Sequence, residues 1–413
     1  MKNRLPILTY YYTNYKPEYE KSNVFPKEII KSYLYRCAQI KTGGILFKNK
    51  NEEIEYIDQI TNIEKNNKGF IIYDCRPLMN AKANSFLGAG VEDIKNYSNC
   101  KELIYGCIEN IHNVRQSLKK ALLNTYYGKE TITKGKIAFN TDNSNMKNFL
   151  SKFEDTKWLE YLSDIITGGI IVANNLQKGI NVICHCSDGW DRTSQVCCIA
   201  EIILDPYYRT IEGFFVLIEK DFVSFGHQFA TRNGCDIRKE KKKEKSPIFV
   251  QFLHVVYQFL VQYPTAFEFK RNLLLFLCEE IYSNKYGTFL FNCEKERVEN
   301  GAYENMVSIW SEIYENINKY INIMYKKIDG ILNIKGEMQY LNIWNDYFFQ
   351  FDKVGYVEEG KIFIDKNQNF ENLIYQQEKN ILELLQVIND NNLNYKIEDN
   401  DFYKLYKDRL EKK

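Results

Sequence analysis

The chain has 413 residues, of which 45% are hydrophobic and 26% charged, so it can bury a core and is not disordered by composition. Lys plus Arg number 55 and Asp plus Glu 54, and this balance excludes a global basic field that would attract nucleic acid. The 11 cysteines lack framework spacing, and no apolar signal-peptide run opens the chain. These features predict a globular intracellular protein with reduced thiols.

Two short apolar runs, 69–73 and 179–186, predict buried parallel strands. Strands alternate with helices in the first half, which predicts an α/β fold with a helix-rich C-terminal half. The absence of repeats and of Pro- or Ser-rich linkers predicts one domain over 1–365, followed by a helical tail over 366–413. Helical periodicity is present in 110–123, 158–176, 193–204, 208–222, 248–263, 267–284 and 303–324.

The most informative stretch is 185–193, in which a predicted strand ends, Cys186 and Arg192 enclose five residues, and a helix begins. A loop of this length can wrap one phosphate with inward-pointing backbone N–H groups, and the helix N-terminus adds positive charge. The same field favours the thiolate of Cys186, which is an activated nucleophile. Arg192 offers a planar fork to phosphoryl oxygens, and Gly189 permits backbone angles that other residues resist.

A phosphate-transferring cysteine needs a general acid, because the leaving group is otherwise an alkoxide. No Trp-Pro-Asp sequence is present to supply one on a separate loop. Asp188 and Asp191, inside the loop itself, are therefore the candidate acids. A hydroxyl from Thr193 or Ser194 is expected to ease the departure of the cysteine sulfur.

A competing interpretation assigns the thiols and the imidazole around the loop to zinc. The spacings do not fit zinc ribbons or fingers, and the pair at 197 and 198 falls in a helical run where small thiols pack well. We therefore expect no metal. The residues in question are Cys184, His185, Cys186, Cys197 and Cys198.

The sequence Cys-Ser-Asp-Gly-Trp-Asp-Arg-Thr at 186–193 resembles the signature of active myotubularins, the phosphoinositide 3-phosphatases. Further blocks resemble that family in family order from about residue 4 to about residue 350, ending with Trp310 and Trp344. The other blocks are 4–8, 35–39, 74–92, 110–118, 207–214, 224–227, 246–252, 264–269 and 287–290.

This resemblance implies an enlarged, cysteine-dependent, protein tyrosine phosphatase-like fold with a central mixed sheet flanked by helices. It implies removal of the D3 phosphate from phosphatidylinositol 3-phosphate and the 3,5-bisphosphate without a cofactor. By the resemblance, Cys186 is the nucleophile and Arg192 the phosphate clamp. Asp191 is the favoured general acid, and Asp188 is a substrate-positioning group and the alternative acid.

The resemblance also implies a substrate-binding set beyond the catalytic residues. Ser187, Gly189 and Trp190 are expected to line the phosphate loop, and Asn84 and Asn110 match side chains that contact the head group.

Arg232 matches the second arginine of a family His-Arg-Phe-x-x-Arg pattern associated with the distal phosphate of the bisphosphate, whereas Gln228 replaces the first. Because one bidentate cation is missing, the chain is expected to favour the monophosphate.

A PH-like GRAM domain usually precedes the phosphatase pattern in this family, whereas here the pattern starts within the first ten residues, so we expect another device to recruit the protein to endosomal or phagosomal membranes. The basic segment 238–245 is a candidate contact for anionic lipid, and a solvated loop is the alternative. The apolar seam at 370–388 predicts a C-terminal helix that either packs on its own domain or forms a homo- or hetero-dimer.

Two competing functions remain. A phosphotyrosine protein phosphatase is disfavoured by the missing Trp-Pro-Asp acid and the Asp-rich loop. A catalytically inactive lipid-binding adaptor is disfavoured because Cys186, Asp191 and Arg192 are all present.

Overall fold

The structure is a computed structural model of the chain and describes residues 6–14, 30–39, 51–62, 68–83, 93–127, 143–236 and 243–350. The chain divides into a unit of Met1–Phe348 and a second of Phe349–Lys413. The predicted tail at 366–413, Asn84 and residues 238–242 of the basic segment lie outside the described residues.

A five-stranded mixed sheet forms the centre of the unit, in the order β1-β2-β5-β3-β4. β1 runs antiparallel to β2, whereas β2, β5, β3 and β4 are mutually parallel. The sequence predicted β3 and β5, which are short, apolar and fully buried. It did not predict β1 and β4, whose faces are partly exposed, or β2, which is mostly buried but includes polar residues such as Ser32 and Arg36. The strands are β1 (Ile7–Thr13), β2 (Lys31–Ala38), β3 (Phe70–Asp74), β4 (Cys100–Tyr105) and β5 (Asn181–Cys186).

Helices surround the sheet, and the described part of the chain after β5 is almost entirely helix and loop, as predicted for the C-terminal half. The helices are α1 (Asn51–Thr61), α2 (Leu78–Ala83), α3 (Ile111–Tyr127), α4 (Asn143–Glu154), α5 (Trp158–Gln177), α6 (Arg192–Leu204), α7 (Ile211–Ile218), α8 (Phe229–Asn233), α9 (Ile248–Gln262), α10 (Arg271–Glu280), α11 (Glu294–Glu299), α12 (Ala302–Asn305), α13 (Ile309–Glu315) and α14 (Asn345–Phe348). Among the described residues, no helix has the length and apolarity needed to cross a bilayer.

Three predicted helices are wrong in extent. The helix predicted over 267–284 covers only Arg271–Glu280. The helix predicted over 208–222 starts only at Ile211, because Thr210 is extended and its hydroxyl caps the helix at Gly213 N–H. It continues as a π-helix over Glu219–Ser224. The helix predicted over 303–324 is divided into α12 and α13, because Ser308 is extended and caps α13 through the N–H of Trp310. It also ends early, at Glu315, and only a 3-10 turn at Ile317–Lys319 follows.

Helix α6 is the element that carries the loop of interest into the core. Every residue of this helix after Arg192 is buried. Helix α5 lies directly against it: a Cβ added at Gly169 would come within 2.3 Å of a methyl carbon of Ile199. This close approach packs the middle of α6 against α5.

Candidate active site

The loop between β5 and α6 has the geometry of an anion site. Cys186 ends β5 with only 2% of its surface exposed. After five intervening residues Arg192 begins α6, so the cysteine faces the free N–H groups of a helix start. The predicted strand, loop and helix are therefore all present, in the predicted order.

Gly189 shapes this loop around the cysteine sulfur. Its φ of +85° is in the left-handed region, and an added Cβ would lie 2.7 Å from the carbonyl oxygen of Cys37 on β2. No other residue fits both conditions without displacing backbone. In this conformation the Gly189 N–H donates to Cys186 Sγ at 3.2 Å, which stabilises negative charge on the sulfur.

Arg192 closes the loop from the helix side. Its Nη2 lies 3.4 Å from the hydroxyl oxygen of Ser187, the first loop residue, so the guanidinium spans the loop opening. The carbonyl of Ser187 in turn accepts from the backbone N–H of Gln39 at 3.4 Å, which attaches the loop to the end of β2. The arrangement places a bidentate cation beside the thiol, as phosphate binding requires.

Asp191 is bound by two partners from the segment after the π-helix. Arg232 donates to both of its oxygens, through Nη2 at 2.8 Å and Nε at 3.2 Å. His227 Nδ1 lies 3.0 Å from Asp191 Oδ1 and 3.0 Å from the carbonyl oxygen of Trp190, so this nitrogen carries the hydrogen. Although Asp191 is the N-cap residue of α6, its carboxylate makes no cap hydrogen bond.

These partners determine the charge of Asp191. Burial opposes ionisation, but the Arg232 guanidinium and the hydrogen bond from His227 outweigh it and hold the pKa of this carboxyl well below its usual range. Burial lowers and Asp191 raises the pKa of Arg232, and the net shift is upward, with Asp188 among the smaller contributors. The free protein therefore holds Asp191 as a carboxylate, which bears on its predicted role as an acid.

Ser194 does not act as the sequence suggested. Its hydroxyl donates to the carbonyl oxygen of Trp190 at 3.1 Å and accepts from Arg36 Nη2 at 2.7 Å, with no hydrogen bond to Cys186. The hydroxyl of Thr193 is buried without a hydrogen-bond partner among the described residues. Of the two hydroxyls predicted to assist the sulfur, that of Thr193 is the one left available.

Two further predicted site residues lie at helix starts. The side-chain oxygen of Asn110 accepts from the N–H groups of His112 and Asn113 and so caps α3. Gln228 immediately precedes α8 and is half-buried, and its carbonyl accepts from the backbone N–H of Arg232 at 2.8 Å. Head-group contacts by either side chain, and by Asn84, stay predictions.

Sequence reasoning missed a buried cation beneath the loop. Arg76 is 1% exposed, makes a bidentate bond to Asp74 at the end of β3, and donates to the side-chain oxygen of Gln39. Gln39 is the residue whose N–H holds Ser187. Arg76 lies in the sequence block 74–92 and Gln39 in the block 35–39. Membership of these blocks was the sequence signal that could have identified the two residues.

Two buried thiols near the loop contact each other. Cys75 and Cys184 have sulfurs 3.6 Å apart and both are buried. Within the described residues, no three His, Cys, Asp or Glu side chains come together in a way that could hold a metal ion.

Comparison with known proteins adds independent findings. A family model described as the myotubularin-like phosphatase domain matches residues 1–298. The chain is 37% identical to myotubularin of Xenopus laevis over 353 residues, which cover 85% of this chain and 53% of the relative. It is 38% identical over 317 residues to a phosphatidylinositol-3,5-bisphosphate 3-phosphatase of Caenorhabditis elegans, covering 76% of this chain and 51% of the relative. A human phosphatidylinositol-3,5-bisphosphate 3-phosphatase is 36% identical over 388 residues, which cover 93% of this chain and 56% of the relative. The chain thus spans about half the length of the curated relatives it matches.

Proposed function

The chain belongs to the myotubularin-like phosphatase family, and we propose that it removes the D3 phosphate of phosphatidylinositol 3-phosphate and, less readily, of the 3,5-bisphosphate. The names of the relatives support the substrate class, and the loop geometry supports the chemistry. The observation that carries the proposal is the hydrogen bond from Gly189 N–H to Cys186 Sγ inside a loop closed by Arg192. That arrangement stabilises a thiolate beside a cation at the start of a helix.

In the first step, Cys186 Sγ attacks phosphorus, and an S–P bond forms as the bond to the D3 oxygen breaks. Arg192 and the backbone N–H groups of the loop stabilise the equatorial oxygens as their charge develops. The departing oxygen takes a proton from a loop carboxyl, so that the inositol leaves as an alcohol.

In the second step, water attacks the cysteinyl phosphate, a carboxylate takes the water proton, and inorganic phosphate leaves as the thiolate returns. Asp191 already has the charge that this step needs, because Arg232 and His227 stabilise its ionised form. The pairing therefore favours Asp191 as the base of the second step. This leaves Asp188, the other carboxyl of the loop, as the donor that we propose for the first step.

The deciding experiment is phosphate release from vesicles that contain phosphatidylinositol 3-phosphate, with the Cys186→Ser variant as the matched control. We expect release from the wild type and none from the variant. A phosphotyrosine peptide and the 4- and 5-monophosphates are tested in parallel. Preferential hydrolysis of the peptide would favour a protein phosphatase, and no release from any phosphoinositide would favour a lipid-binding adaptor.

We further propose that the protein acts in the cytoplasm at endosomal or phagosomal membranes and that the segment 238–245 contacts anionic lipid. Lys243 and Lys245, in the described part of this segment, are exposed, and their carbonyls accept from Arg115. Binding to vesicles with and without anionic lipid, before and after these lysines are changed to Gln, tests the contact. Sedimentation of the chain with and without residues 366–413 tests the predicted dimer.

A further inference from the structure

We propose that Arg36, on β2, is a positioning residue that orients the Gly189–Trp190 peptide so that the loop presents N–H groups, and not a carbonyl oxygen, to the phosphate. This role of Arg36 rests on the proposed function only because it requires the loop to bind phosphate. Arg36 touches neither Cys186 nor the position of the phosphoryl group, and it acts through the loop backbone.

The contacts of Arg36 are fixed on both sides of its guanidinium. The residue is 1% exposed, and Nη1 donates to the carboxylate of Asp221 at 2.6 Å and to its carbonyl oxygen at 2.8 Å. The guanidinium also lies 4.1 Å from the ring centre of Phe225. With Nη1 held in this way, Nη2 points to the loop, where it donates to Gly189 O and to Ser194 Oγ, each at 2.7 Å.

Holding the Gly189 carbonyl determines where the next N–H points. In a trans peptide the N–H and C=O groups point in opposite directions, so with the oxygen of Gly189 directed at Arg36 the N–H of Trp190 faces the other side of the loop. Ser194, anchored by Arg36, likewise holds the carbonyl of Trp190, which turns the N–H of Asp191 the same way. In the described part of the chain neither N–H donates to a protein acceptor, as expected for groups reserved for an anion.

The reverse orientation would place a carbonyl oxygen where the phosphate oxygens bind. Gly189, which has φ +85°, lacks the side-chain restraint that would prevent such a flip in another residue. Arg36 therefore supplies from outside the loop a restraint that Gly189 cannot supply itself. This explains why a cation is buried at a place where no substrate reaches it.

Loss of this cation should leave the fold intact. Asp221 keeps two other partners, Lys220 Nζ at 3.0 Å and the hydroxyl of Thr9 at 2.7 Å, so its buried charge is not abandoned when Arg36 is replaced. A suitable control is Arg209, which is also fully buried but donates to backbone carbonyls at Ile202 and elsewhere outside the loop.

The experiment compares Arg36→Met, Arg36→Lys and Arg209→Met. Vanadate affinity is measured by protection of Cys186 from iodoacetamide, and kcat and KM are measured with para-nitrophenyl phosphate, so neither readout depends on lipid specificity. We expect Arg36→Met to bind vanadate about 10-fold or more weakly and to lose about 100-fold in kcat. Arg36→Lys should fall between Arg36→Met and the wild type, because an ammonium keeps the charge but cannot bond to Asp221 and to the Gly189 carbonyl at once.

Arg209→Met should lower the melting temperature and leave both vanadate affinity and kcat unchanged. If the Arg36→Met variant does not fold, Ser194→Ala is tested in its place. This variant is also expected to bind vanadate more weakly than the wild type. Wild-type vanadate affinity in whichever of these variants is folded would overturn the inference. A wild type whose Cys186 vanadate does not protect would instead overturn the proposed function itself.

Discussion

Replacing Arg232 by Met removes the cation that pairs with Asp191, and we expect it to destabilise the fold by about 3–5 kcal/mol at neutral pH. The magnitude follows from burial, because the two side chains are only 4% and 10% exposed and the bond is bidentate. Removing Arg232 leaves the Asp191 carboxylate away from water with the contact to His227 but without its bidentate cation. Lys285, which is 66% exposed and pairs with Glu280 at 3.3 Å, is the matched control. Lys285→Met should cost about 1 kcal/mol or less.

The cost of Arg232→Met should depend on pH. The folded-state pKa of Asp191 is depressed in the wild type, so its stabilisation is present above the unfolded value of about 4 and is lost as the pH falls below it. Without Arg232, burial disfavours the ionised form of Asp191, and protonation of this carboxylate in acid removes the destabilisation. Urea unfolding at about pH 7.5 and about pH 4.5 should therefore show a larger difference from the wild type at the higher pH. A double variant with Asp191→Asn should recover part of the loss.

Activity distinguishes two roles for Arg232. The family resemblance assigns it to the distal phosphate of the bisphosphate, whereas all three of its nitrogens have protein partners in the structure. If it acts through Asp191, Arg232→Met lowers kcat equally for the mono- and bisphosphate, and this is the result we expect. A loss confined to the bisphosphate would refute that reasoning, as would a destabilisation below about 1 kcal/mol at both pH values.

Three further predictions concern other groups. Gln228→Arg should raise kcat/KM for the 3,5-bisphosphate relative to the 3-monophosphate by about 10-fold through a restored charged partner, and an unchanged ratio would contradict the role given to this position. Asp191→Asn should slow hydrolysis of the cysteinyl phosphate, which then accumulates in rapid-quench experiments, whereas Asp188→Asn should slow its formation, and the reverse assignment would follow from the opposite result. Burial, with Glu160 and Glu109 nearby, raises the pKa of Asp164 to about 7, so this group lowers stability increasingly as the pH rises from about 4 to 7. Asp164→Asn should therefore raise Tm at about pH 8 and change it little at about pH 4.5. If the change in Tm were the same at both pH values, Asp164 would not be protonated in the folded state.

Local sequence was enough to predict the loop that carries the chemistry. The strand before Cys186, the left-handed glycine and the helix that begins at Arg192 are determined by neighbouring residues, and the structure has each where predicted. The buried strands β3 and β5 were predicted for the same reason, because a continuous apolar run has a local signature. β1, β2 and β4 were not, since each mixes polar residues with apolar ones and lacks such a run.

The tertiary structure decided which charges meet. Asp191 lies 41 residues from Arg232, and Arg36 lies 153 residues from Gly189. No spacing rule predicts such pairs, because each depends on how separate elements pack around the sheet. The near-neutral composition of the chain therefore says little about its site, where buried cations set the charge of a carboxylate and the direction of backbone N–H groups. The residue types at the loop follow from the sequence, whereas their protonation states and orientations follow from the fold, since both depend on partners that only packing brings within a few ångströms.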